Sequence, residues 1–69
     1  MTFSELSMFR AFIHKDTYFI KTGDNEAAFI AYKPIFVHKR RARFHGEEEC
    51  RPQVLDRKST EYIKRLVIM

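Results

Sequence analysis

The sequence predicts an α+β fold: one small domain over residues 1–69, with an antiparallel sheet of three to four strands and one or two short helices. Three observations carry that expectation. Sixty-nine residues is below the usual domain size of about 100–150, so the chain can build a single core. Seven Phe and three Tyr give that core its bulk, because each aromatic can bury on the order of 150–250 Å². Short runs of aromatic and β-branched residues are separated by Gly, Pro, Asn and Asp, the punctuation of strands and turns.

The N-terminal stretch reads as a helix. Thr2 and Glu5 have the Thr-x-x-Glu spacing of a capping box, in which two side chains satisfy amides of the first turn. Leu6, Phe9 and Ile13, with Met8 and Phe12 beside them, follow at helical intervals. The run "RAFIH" would equally suit the start of a strand. Next, "TYFIK" and "AAFIAYK" flank "TGDNE", where Gly23, Asp24 and Asn25 tolerate the dihedrals of a hairpin loop. A hairpin is favoured there over a helix running from Asn25 to Lys33 that would be capped by Asp24 and ended by Pro34.

After Pro34, Ile35 and Val37 open a strand in "IFVHKRRARF". Gly46 offers a turn, and "RPQVLD" is suited to a short edge strand, where Pro52 removes least hydrogen bonding. The last segment is a helix capped by Ser59 or Thr60 and carrying Tyr62, Ile63 and Leu66, or else a closing strand. Its apolar end "LVIM" needs a partner in the core or in a second copy, so a homodimer through the C-terminus is one expectation. Among the aromatics, Phe9, Phe12, Phe19, Phe29 and Phe36 are expected inside. Phe3 and Phe44, flanked by polar residues, are expected nearest the surface.

The net charge of +4 is modest, but its distribution is not. Residues 33–45 contain Lys33, Lys39, Arg40, Arg41 and Arg43 without a single acid, a local +5, so the remainder of the chain is slightly acidic. On a strand, same-face neighbours are about 6.6 Å apart. Lys39, Arg41 and Arg43 would then line one face, with His38, Arg40, Ala42 and Phe44 on the other. A row of cations beside a stacking surface from Phe44 or Tyr32 is suited to a nucleic-acid backbone. Guanidinium forks also match phosphate oxygens in pairs. The competing reading is internal: Glu47, Glu48 and Glu49 follow Gly46, and a turn there could lay them across the arginines.

Other chemistry is thinly represented. His38, His45 and Cys50 are spaced as three possible metal ligands, but a structural zinc site takes four, so neither a metal nor a cofactor is expected. No nucleophile motif and no glycine-rich phosphate loop is present, and a ribonuclease built on His14, His38 or His45 is the least favoured reading. Enzyme activity is therefore not expected. The lone Cys50 suits a reducing compartment, no apolar run approaches the roughly 20 residues that span a bilayer, and the N-terminus is unlike a signal peptide. A cytoplasmic location away from membranes follows as an expectation. The favoured function is non-enzymatic nucleic-acid binding through Lys33, Lys39, Arg40, Arg41, Arg43 and Phe44. The alternative is a small regulator or inhibitor that docks the same basic face on an acidic protein surface, such as that of a nucleic-acid enzyme.

Overall fold

A computed structural model describes residues 1–32 and 35–68, with Tyr32 described by its backbone alone. A 3₁₀ turn, Phe3–Glu5, precedes strands β1 (Ala11–His14), β2 (Thr17–Lys21), β3 (Glu26–Tyr32), β4 (Ile35–Arg43) and β5 (Arg51–Pro52), and helix α1 (Arg57–Ile68) closes the chain. The strands form one antiparallel sheet in the order β4-β3-β2-β1-β5. The α+β class stands, but the described residues form five strands where three to four were expected.

The additional strand comes from the N-terminal region. Its capping box forms, with the Thr2 amide and hydroxyl both donating to Glu5 Oε1 at 2.8 Å. These bonds hold the Glu5 carboxyl below its usual pKa, the amide contributing most. The helix it announces lasts only one turn, however, and "AFIH" becomes β1, zipped to β2 from Ala11↔Ile20 to His14↔Thr17. The turn between them is Lys15 and Asp16, with φ of 49° and 61°, the left-handed pair that a two-residue hairpin needs. Asp tolerates that region; Lys does so at a cost of roughly 1–2 kcal/mol. Replacing the pair with Asn-Gly (Lys15→Asn, Asp16→Gly) should therefore stabilise the domain by about 1 kcal/mol and raise its melting temperature by about 4–8 °C. A thermal melt followed by circular dichroism reads this directly.

The sheet is covered on both faces. On one, Phe12, Phe19 and Phe29 run side by side across β1, β2 and β3, and Phe3, Leu6, Phe44 and Cys50 close over them. The covering segments are tied together backbone to backbone: Phe3 N donates to Glu48 O, Ser4 N to Gly46 O and Cys50 N to Met1 O. Gly46 sits against Ser4, whose Cβ would lie 3.3 Å from an added methyl. On the other face α1 packs over Ala11, Ile20, Ala28 and Ile30 through Ile63 and Val67. Two of those four sheet residues are alanines, which leaves room for the helix. Asp56 caps α1, its Oδ1 accepting the Ser59 amide at 2.7 Å, so the cap lies ahead of both expected positions, Ser59 and Thr60. The Ser59 hydroxyl and then its amide keep the Asp56 carboxyl below its usual range, and the cap weakens only as acid protonates it.

The expected division of aromatics is reversed at three positions. Phe3 is fully buried and stacks on Phe44 at 4.9 Å between ring centroids. Both were expected near the surface. Phe36, expected inside, is 55 % exposed. The long-range pairing of the first residues with residues 46–50 creates the pocket that takes Phe3 and Phe44, and no local pattern records it.

One charge is also inside. Lys21, 6 % exposed, donates from Nζ to Phe3 O at 2.9 Å and to Leu6 O at 2.8 Å, and lies 4.6 Å from the centre of the Phe3 ring. It supplies the donors that the one-turn helix leaves missing. Lys21→Met would remove a desolvated ammonium, which favours the variant, but it would strand two carbonyls. Bonds to charged groups contribute about 1.5–3 kcal/mol each, so the second effect dominates. A net loss of roughly 2–3 kcal/mol is expected in urea unfolding.

Candidate nucleic-acid interface

β4 is an edge strand, bonded to β3 on one side and open on the other. Its pairing runs Tyr32↔Ile35, Ala31↔Phe36 and Ile30↔Val37, then resumes at Ala28↔Arg41, Ala27↔Ala42 and Glu26↔Arg43. His38, Lys39 and Arg40 therefore stand opposite Phe29 alone, as a bulge in the edge. Arg41 closes over it: Nη1 donates to His38 O at 3.0 Å and to Lys39 O at 3.1 Å. The bulge breaks the strict alternation that the sequence suggested. Arg41 and Arg43, paired with Ala28 and Glu26, share the face that carries α1. His38 instead joins Phe36, 4.9 Å away ring to ring, and Phe29 at 6.3 Å, on the opposite face.

Lys39, Arg40, Arg41 and Arg43 are all exposed. Lys33, the fifth cation, lies outside the described residues, as does the side chain of Tyr32. Phe44 must be withdrawn as a stacking surface. It is 5 % exposed and enclosed by Phe3, Phe12, Phe19 and His14.

The position of the three glutamates decides how much charge the edge retains. Glu49 binds the N-terminal ammonium at 3.0 Å, the one ion pair among the described residues, and raises the pKa of that ammonium, chiefly through this hydrogen bond. Glu48 offers its carbonyl to the Phe3 amide. None of the three forms an ion pair with an arginine of β4 among the described residues. The turn at Gly46 is spent on pairing with the N-terminus. Arg43 does have acids nearby, since residues 23–26, with Asp24 and Glu26, border it. No acidic residue lines the groove beside Lys39 and Arg41.

Two features of this edge escaped the sequence reading. A groove of about 550 Å³ runs between β4 and α1, lined by Ile35, Val37, Lys39, Arg41, Tyr62 and Leu66 among others. Tyr62 is 49 % exposed on its helix wall, and Lys58 and Arg65, both exposed, flank it at i−4 and i+3 on one helical stripe. The signal was present as helical spacing, but only the course of α1 beside β4 joins the two basic segments.

The remaining candidates do not assemble. His38 and His45 are exposed, whereas Cys50 is buried with its thiol 3.6 Å from Glu48 O. Burial pushes the Cys50 thiol pKa up, away from a reactive thiolate. His14 donates from Nδ1 to Glu49 O at 2.9 Å. Among the described residues no three His, Cys, Asp or Glu side chains come together to hold a metal ion, and no helix is long and apolar enough to cross a membrane. Comparison with protein-family models, curated proteins and solved structures returns no match.

Proposed function

We propose that this protein binds nucleic acid, without catalysis, along the outer edge of β4. The supporting observation is that Lys39, Arg40, Arg41 and Arg43 are exposed on one edge strand, while among the described residues none of the following glutamates forms an ion pair with them and Glu49 is bound to the N-terminal ammonium. Exposed, unpaired cations in a row release counterions when they meet phosphates, which is the main source of sequence-independent affinity. Arg40, in the bulge, suits a paired contact to phosphate oxygens, and Arg41 offers the N–H groups other than Nη1, which holds the bulge. Fluorescence anisotropy with a labelled oligonucleotide at about 50 mM salt tests the reading, and absence of binding under these permissive conditions overturns it.

A second reading has its own support. β4 ends the sheet, bonded to a strand on one side only, and an acidic segment of another protein could add to its outer edge as a strand, its carboxylates meeting the cations. A pull-down that survives nuclease treatment would favour this alternative. For a homodimer through the C-terminal end, Ile68 is exposed among the described residues while Val67 packs against the core.

A further inference from the structure

We infer that the ligand is single-stranded, with a base seated in the groove between β4 and α1 against Tyr62; this rests on the nucleic-acid reading above. The groove has an apolar floor from Ile35, Val37 and Leu66, an aromatic wall in Tyr62 and cations at its rim in Lys39 and Arg41. Its volume of about 550 Å³ falls among clefts that take small aromatic ligands, about 300–1,000 Å³. In a duplex the bases are paired and stacked, so only the backbone would reach this edge. A single strand can offer phosphates to the rim and turn a base inward.

The charge pattern agrees with that occupant. Lys39 and Arg41 on β4 place cations along one bank of the groove, and none of its lining residues is acidic; beyond the lining, α1 carries exposed Lys58 and Arg65 with Glu61 between them. A polyanion that carries flat apolar groups satisfies the basic bank and the apolar floor together. A protein segment with the same complementarity would need alternating acids and aromatics. Exposed Phe36 and His38, which also border the groove, form a second aromatic pair at 4.9 Å between ring centroids, available to a neighbouring base as the strand crosses the edge.

The two modes give opposite preferences. A purely electrostatic edge favours duplex, whose charge density is one phosphate per about 1.7 Å of axis. Base stacking reverses that order, because it is open only to unpaired bases. The test compares labelled oligothymidylate with a duplex of equal length at one salt concentration, for the native protein, Tyr62→Ala and Tyr62→Phe. Since Tyr62 is half exposed, both variants are expected to fold, and circular dichroism verifies it. The expected result is tighter binding of the single strand, weakened roughly 10-fold by Tyr62→Ala and retained by Tyr62→Phe. Equal or tighter duplex binding, or an unchanged single-strand affinity in Tyr62→Ala, overturns the groove assignment and leaves nucleic-acid binding standing. Failure to bind either ligand overturns both.

Discussion

Raising salt from about 50 to about 200 mM should weaken binding of a single strand roughly 50-fold, because four neutralised phosphates give a log-log slope of about −2.8. On a duplex the same four contacts give about −3.6, and the loss is roughly 150-fold. The slope counts contacts without depending on absolute affinity, so it can be dissected by substitution. Lys39 and Arg40 are the positions to remove first. Arg41 also ties down the bulge through His38 O and Lys39 O, and Arg43 is bordered by Asp24 and Glu26, so changes at either would mix effects. The double variant Lys39→Ala/Arg40→Ala should reduce the single-strand slope to about −1.4, leaving a loss of only about 7-fold over the same salt range. A slope that stays near its native value would place the phosphate contacts elsewhere on the chain.

Phe44→Ala should unfold the protein. Removing a buried Phe costs about 3–5 kcal/mol, and a core of this size rarely supplies more than about 3–5 kcal/mol in total. Phe44 touches both layers of its cluster: it stacks on Phe3 and meets Phe12 and Phe19 edge to face at 5.4 and 5.0 Å. Truncation would therefore detach the N-terminal turn from the sheet. Far-UV circular dichroism at 25 °C should show loss of the native spectrum and of cooperative melting. Phe44→Leu keeps most of the volume and should remain folded with oligonucleotide affinity unchanged. A stacking role for Phe44 predicts the opposite pair of results, a folded Phe44→Ala with weakened binding.

What could be read without coordinates follows from how local each signal is. The β2–β3 hairpin was legible because Gly23, Asp24 and Asn25 announce their turn, and β4 because Ile35 and Val37 open it. β1 was obscured by a turn made from Lys15 and Asp16, which lacks the usual Asn or Gly, and by a capping box that forms but caps one turn. Counting charge needs no geometry, so the concentration of cations in residues 33–45 was evident at once. Whether Glu47, Glu48 and Glu49 would cancel it was not, because that depends on bonds to the first three residues of the chain. The groove was beyond reach for the same reason: Tyr62 and Arg41 are 21 positions apart and meet only through the packing of α1 on the sheet.

The bulge and the cations of β4 also have a bearing on solubility. An open sheet edge is a template for pairing with another copy, and a long flat one invites continuous cross-chain sheets. The opposite edge, β5, is two residues long and ends in Pro52, which makes it a poor template. β4, at nine residues, is the exposed flank, and its like charges and irregular register keep two such strands from zipping together. Any occupant that neutralises Lys39, Arg40 and Arg41 must therefore itself cover the edge; otherwise charge neutralisation would turn a guarded strand into a seed for aggregation.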